Sequence, residues 1–422
     1  MLLVQRKNVM KTLALFVAVV LMTGLSAYAA DYCYPNGVLK VGVEAPVTGA
    51  LAAEGQEMIH GATMAIEELN ARGGVLGYRV ELVVGDVGSD FEPGIITSVL
   101  EKLITIDKVD AVFVGYASQN QFEIDICSDY DMICLLSADA QATERIIGAA
   151  PDDYPTVWNI VPSYAVYRTE LPKQMEAWAA DGSLILPNRK MAFITSDNAF
   201  SRYITEGLIE NFEALGWELV VNEMVAFGSV TEWGPILSKI RATEPALLVN
   251  TDYIPSNEAT LLEQFLQNPT NTHLFFQYGP LTNEFLQLLG KKGDGVLTDA
   301  PNIGPWPEKY IQGRALSKKF EDRWGYKPGI KGPDLYTLPM IWAAAVERTG
   351  NPKDHIALAE NIRDYTAIWG PGGLTTFDPE THLANSAFMT PTFYQTWDAQ
   401  LVTVAPDAYA DSVVRMPPWW KE

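Results

Sequence analysis

The feature that most limits how this chain can fold is an alternation of short apolar strands with amphipathic helices, run twice. The first run opens with the strand Leu39-Lys40-Val41-Gly42-Val43. A helix follows, with Met58, Ala62, Ala65, Ile66 and Leu69 on one stripe at helical spacing, and it stops at Arg72-Gly73-Gly74. Strands are then expected at 79–84, 111–115 and 132–136, with helices at 94–106 and 121–129. The rhythm restarts after Pro162, with helices at 170–180, 203–215, 234–241 and 258–266 and strands at 190–195, 217–225, 246–250 and 273–277. Strands alternating with helices of ~10–15 residues imply right-handed βαβ units and parallel sheets. Two runs broken near residue 160 imply an α/β protein with two doubly wound parallel-sheet lobes. Beyond residue 303 the pattern turns helical (311–324, 335–349, 356–364) and ends strand-like at 388–397. Helices arriving so late, with few strands of their own, are expected to complete a lobe begun earlier.

The first thirty residues read as an export address. Arg6, Lys7 and Lys11 precede an apolar run from Leu13 to Leu25, and Ala27-Tyr28-Ala29 supplies a small-x-small cleavage pattern. The run is shorter than the ~18–20 residues that span a bilayer. A signal peptide over 1–29, cleaved near Ala29, is therefore expected, with an exported mature chain not inserted in the membrane. Acidic residues number 52 against 30 Lys and Arg, a net charge of −22. That balance argues against nucleic acid, whose binding needs clustered Lys and Arg, and against an anionic membrane face. Cleavage would remove three bases and no acid. Cys33, Cys127 and Cys134 allow one disulfide in an oxidising compartment, or none.

A search for catalytic chemistry finds little. The G-x-G-x-x-G fingerprint is absent after the first strand, no Walker A sequence occurs, and no G-x-S-x-G elbow is present. His60, His273, His355 and His382 are isolated, without metal-ligand spacing. No catalytic residue, metal or cofactor is expected. What remains is the crevice beyond the strand C-termini, where open α/β sheets bind ligands. The residues falling there are Glu54 after the first strand, Tyr116, Ser118 and Gln119 after the third, and Ser137, Ala138, Asp139 and Ala140 after the fourth. The second run adds Phe200, Asp252, Tyr253 and Tyr278. Hydroxyls and small residues ahead of a helix N-terminus suit a carboxylate or amide oxygen. The aromatics suit an apolar or planar ligand body. Each residue taken alone also reads as an ordinary cap or core side chain.

At these residues the sequence resembles a known family. Val41-Gly42-Val43 through Pro46-Val47-Thr48-Gly49, then Gly55, and above all the run from Gly61-Ala62 through Ala65-Ile66-Glu67-Glu68-Leu69-Asn70 to Gly73-Gly74-Val75-Leu76-Gly77, are similar to type I periplasmic solute-binding proteins of the branched-chain amino acid and amide class, which feed ABC importers. Gly332-Pro333-Asp334-Leu335-Tyr336, leading into Ala343 to Glu347, matches the family's late helix. The resemblance covers essentially the whole mature chain. It implies two lobes joined by a three-crossover hinge that close over a small ligand, placed at 36–161 plus 303–372 and at 162–302 plus 373–415. It also implies a monomer whose partners are a small-molecule ligand and a membrane permease.

By the same resemblance Ser118 with Gln119, and Ser137 to Ala140, hold a carboxylate or amide end, while Phe200 and Tyr253 fall at aromatic positions. The acid expected for an ammonium group after Gly279-Pro280 is replaced by Leu281. Asp252 or Asp139 can substitute, or the ligand carries no α-ammonium. Glu54 stands where the family often has an aromatic. A branched-chain amino acid, a short amide, urea and a small carboxylate all remain open. A sensor for a membrane receptor shares this fold and pocket, and an exported enzyme is the third reading.

Overall fold

The computed structural model describes residues 34–117, 122–365, 368–370 and 372–421. The signal peptide, Cys33, Ser118 and Gln119 lie outside the described residues.

The first half builds one sheet. Its strands are β1 (Val38–Ala45), β2 (Arg79–Asp86), β3 (Ala111–Val114), β4 (Cys134–Leu136) and β5 (Val157–Asn159), and its helices are α1 (Ala52–Ala71), α2 (Pro93–Glu101), α3 (Phe122–Asp129) and α4 (Ala140–Ile147). The strands lie in the order β2-β1-β3-β4-β5, all parallel. Every residue of β3 and β4 is buried, as expected for strands covered on both faces. The helix expected over 94–106 ends its α-helical part at Glu101 and continues as a π turn over Lys102–Ile106.

The second sheet follows. It uses α5 (Ala165–Ala180), β6 (Lys190–Ser196), α6 (Ala199–Ala214), β7 (Glu218–Val225), α7 (Gly234–Thr243), β8 (Leu247–Asn250), α8 (Pro255–Leu266), β9 (His273–Phe276), α9 (Asn283–Leu289) and β10 (Leu297–Ala300). The helix α5 begins five residues ahead of the expected 170. Burial of Tyr167, Leu171 and Met175 on one face carries it through the interior Pro172.

Three helices come next: α10 (Ile311–Trp324), α11 (Lys331–Thr349) and α12 (His355–Tyr365). Four strands end the chain: β11 (Ile368–Gly370) and β12 (Gly373–Thr375) form a hairpin, and β13 (Thr392–Trp397) and β14 (Gln400–Ala405) join the second sheet. That sheet runs β14-β13-β10-β9-β8-β6-β7, parallel except for β13 and β14. In both sheets the first two strands are inverted relative to chain order, which places a topological switch point beside β1 and beside β6.

The late helices return to the first sheet. Leu335, Leu338, Ile341 and Trp342 of α11 share one buried core with Val41, Val43 and Phe113. The helices α11 and α1 pack so closely that a Cβ on Gly61 would stand 1.9 Å from the Gly332 carbonyl oxygen. Gly55 is likewise pressed on the turn after β1, where a Cβ would meet Pro46 O at 2.1 Å. These approaches explain why the glycines of the motif around Gly55, Gly61 and Gly332 are glycines.

Candidate functional site: a crevice between the two sheets

The residues after β3 and β4 on one side, and those after β6, β8 and β9 on the other, meet across one narrow cavity of about 70 Å³. From the first lobe it is lined by Tyr116, Ala117, Ala138, Asp139 and Lys331, and from beyond it by Tyr164, Phe200, Tyr253 and Tyr278. Ligand clefts commonly enclose roughly 300–1,000 Å³, so this cavity is small for one.

Local structure fixes each wall. Asn198 caps α6 by accepting from Ser201 N at 2.9 Å, and the Ser201 hydroxyl donates to Thr251 O at 2.5 Å. This ties Phe200, in the first turn of α6, to the segment bearing Tyr253. The two rings stand edge to face, with centroids 5.8 Å apart at 83°. Tyr164 meets Phe200 in the same way, at 5.2 Å and 81°. Tyr253 and Tyr278 are 6.4 Å apart at 78°, while Tyr116 from the first sheet and Tyr253 from the second have ring centres 6.2 Å apart at 32°. Such edge-to-face and tilted pairs are the favoured geometry of aromatic quadrupoles.

The polar part of the wall centres on Lys331, at the start of α11. Its ammonium is buried, donates to Ser137 O at 2.5 Å and Gly115 O at 3.2 Å, and stands 4.5 Å from the Tyr116 ring centre. Asp334 lies at 3.9 Å. Burial lowers the Lys331 pKa, and Asp334, Glu54 and Glu57 counter it. Asp139 adopts a left-handed backbone (φ +53°) at the start of α4, and its Oδ2 is buried with no hydrogen-bond partner among the described residues. Burial pushes this carboxyl up to about 7, assisted by the charge of Glu123.

Behind the wall, Tyr116 links the lobes. Its hydroxyl is hydrogen-bonded to Glu54 Oε2 and, at 2.8 Å, to the Tyr278 hydroxyl. Burial raises Glu54 to about 8, against the opposing effects of the Tyr116 hydrogen bond and Lys331. One turn further along α1, Glu57 accepts from Gly329 N at 2.9 Å and Gly332 N at 2.8 Å, fastening α1 to the approach to α11.

Of the residues read from the sequence, Tyr116, Ala138, Asp139, Phe200, Tyr253 and Tyr278 line this single cavity. Glu54 stands one layer behind, on Tyr116. Three others are buried away from the cavity. Ser137 donates its hydroxyl to Gly115 O at 2.9 Å, and Ala140 is packed in the second core. Asp252 uses its carboxylate to hold its own loop, accepting from Tyr253 N, Ile254 N and the Asn257 amide. Between the two acids offered as substitutes for the missing one, Asp139 is the one on the cavity. Sequence reading missed Tyr164 and Lys331. The signal for Lys331 was a lysine directly ahead of the Gly332-Pro333 motif, and Tyr164 had none beyond its place after the first crossover.

The histidines are occupied structurally. His60 stacks on Trp324, His382 stacks on Trp158, and His273 and His355 bond the carbonyls of Ile185 and Asp131. No group of three or more metal-ligating side chains occurs among the described residues. Cys127 and Cys134 are buried free thiols.

Two parallel-sheet lobes facing one another across an aromatic crevice define a bilobal solute-binding protein. The periplasmic binding protein family model matches residues 38–394, and the chain belongs to that family. It is 25% identical over 347 residues to an amino acid binding protein of Pseudomonas aeruginosa, covering 80% of this chain and 83% of that one. It is 24% identical over 364 residues to a leucine-, isoleucine-, valine-, threonine- and alanine-binding protein of the same organism, covering 85% and 91%. Among solved structures, one designated a branched-chain amino acid ABC transporter from Silicibacter pomeroyi superposes with a TM-score of 0.79 at 28% identity, over 90% of this chain and all of that one. A Rhodopseudomonas palustris solute-binding protein in complex with benzoate shares the fold, with a TM-score of 0.73 at 18% identity over 90% and 99% of the chains. The protein is thus a member of the periplasmic binding protein family, and the relatives named here are solute-binding proteins. No helix among the described residues is long and apolar enough to cross a membrane.

Proposed function

We propose that the protein captures a small polar organic solute between its lobes and delivers it to the membrane permease of an ABC importer. The observation that carries this reading is the convergence of both sets of strand ends on one cavity with a buried cation and a carboxyl oxygen that has no partner among the described residues. Amino acids, short amides, urea and small carboxylates all offer groups that could meet Lys331 and Asp139. The hinge would divide the chain into lobes at 36–161 plus 303–372 and 162–302 plus 373–415, in a monomer exported through a signal peptide cleaved near Ala29. Closure would replace the solute's water hydrogen bonds with fixed ones, and the closed form would present both lobes to the permease.

The test is a thermal-shift screen of the mature chain against amino acids, amides, urea and carboxylates. A solute binding the folded state alone stabilises it by RT ln(1 + [L]/Kd), about 2.7 kcal/mol at a hundredfold excess over Kd. Folded protein that no solute stabilises would remove the carrier reading.

A further inference from the structure

We infer that the solute is a planar aromatic acid that also bears an N–H or O–H donor, its ring held between Tyr116 and Tyr253, its carboxylate on Lys331 and its donor on Asp139. This rests on the crevice being the ligand site, as proposed above.

The first observation is the shape of the walls. Among the described residues, every lining side chain other than Lys331, Asp139 and two alanines is aromatic, and none is branched aliphatic. Tyr116 comes from the first sheet and Tyr253 from the second, their ring centres 6.2 Å apart and their planes inclined by only 32°. A flat ring in contact with both needs about 3.5 Å to each, or about 7 Å in all. That is close to the present separation of the two ring centres. A leucine or isoleucine side chain carries methyl groups out of any single plane and needs a wider gap. Phe200 and Tyr278 flank Tyr253 at 83° and 78°, an arrangement that offers an inserted ring edge contacts as well as faces.

The second observation concerns the polar end. Lys331 bonds Ser137 O, and Asp139 follows two residues later, so donor and acceptor lie side by side on the first lobe. The ammonium has three N–H groups. Two are used by Ser137 O and Gly115 O, and among the described residues the third meets the Ser137 hydroxyl at 3.4 Å and the Asp334 carboxylate at 3.9 Å. A carboxylate oxygen is a better partner for it. Among the described residues Asp139 Oδ2 is buried without any donor, which is costly unless a ligand supplies one. Burial pushes Glu54 up to about 8 and Glu57 and Asp334 up to about 7, so these neighbours of the ammonium are not fully ionised near neutral pH. A bare hydrocarbon acid would satisfy Lys331 and leave Asp139 unmet. Urea would fill neither the ring slot nor its aromatic faces.

Titration calorimetry on the mature protein tests the inference. The probes are 4-hydroxybenzoate and 4-aminobenzoate, against benzoate (no donor), cyclohexanecarboxylate (no plane), leucine and urea. At least one donor-bearing aromatic acid is expected to bind tenfold or more tighter than benzoate, and tenfold or more tighter than cyclohexanecarboxylate. In Asp139→Ala the advantage over benzoate should shrink towards one. In Tyr253→Leu the advantage over cyclohexanecarboxylate should shrink instead, and circular dichroism would confirm that both variants fold. Binding of leucine or urea with no binding of any aromatic acid would overturn the inference while leaving the carrier reading intact. Equal affinity for the planar and non-planar acids would overturn it as well. Folded protein that binds none of the probes, nor any solute of the wider screen, would overturn both.

Discussion

The hydrogen bond between the hydroxyls of Tyr116 and Tyr278 joins the two lobes directly, so Tyr278→Phe should loosen their closure. The substitution removes one oxygen and leaves no buried group stranded, because Tyr116 keeps Glu54 as its partner. The loss is therefore that of one neutral hydrogen bond, about 1 kcal/mol net. If that bond exists only in the closed form, the closed-to-open ratio falls about fivefold, and apparent affinity falls by up to the same factor where the closed form is the competent one. Calorimetry with whichever solute the thermal screen identifies would read the affinity, and small-angle scattering the opening. Tyr116→Phe is the harsher change, since it strands the buried Glu54 carboxyl as well, and should cost more stability than Tyr278→Phe. Unchanged affinity and scattering in Tyr278→Phe would refute the reasoning that this bond holds the lobes together.

Three further outcomes follow from the packing. Glu54 is raised to about 8 by burial, with Tyr116, Tyr278, Lys331, Glu57 and Glu284 around it. Its folded pKa exceeds the unfolded one, so the native state binds the extra proton and stability falls as pH rises from about 4.5 through 8; Glu54→Gln should flatten that slope in thermal melts across the window. Gly61→Ala should lower the melting temperature markedly, because the new Cβ collides with backbone at Gly332 and helix overpacking costs about 1–3 kcal/mol or more; a melting temperature equal to that of the parent would show that α1 and α11 can slide apart. Cys127 and Cys134 should resist maleimide in the native protein and become labelled only as it unfolds, as peptide mapping would show.

The sequence made the architecture readable where periodicity was strong. Fully apolar strands such as Ala111–Val114 and long striped helices such as Ala52–Ala71 carry their own signal. The strands β5, β10 and β14 were not foreseen, because three to six residues outside an obvious strand–helix alternation give too short a pattern to distinguish from loop. Within the crevice, aromatics placed directly after a strand could be read from position alone, since the crevice lies at strand ends by geometry. Lys331 and Tyr164 could not. Lys331 reaches its partners from a helix nearly two hundred residues later in the chain, and only the packing of α11 on α1 brings it there. Asp252 shows the converse: an acid at the right strand end whose carboxylate is consumed by its own loop.

The placement of Lys331 also bears on how the molecule comes into being. The strands that supply Gly115 and Ser137 are made early, but the ammonium that bridges their carbonyls belongs to a helix synthesised after the whole second sheet up to β10. The first lobe's share of the pocket therefore cannot assemble on a partial chain. Contacts of such long sequence separation are slow to form. A chain ending ahead of α11 therefore holds every strand of the first sheet and still lacks the cation of its pocket.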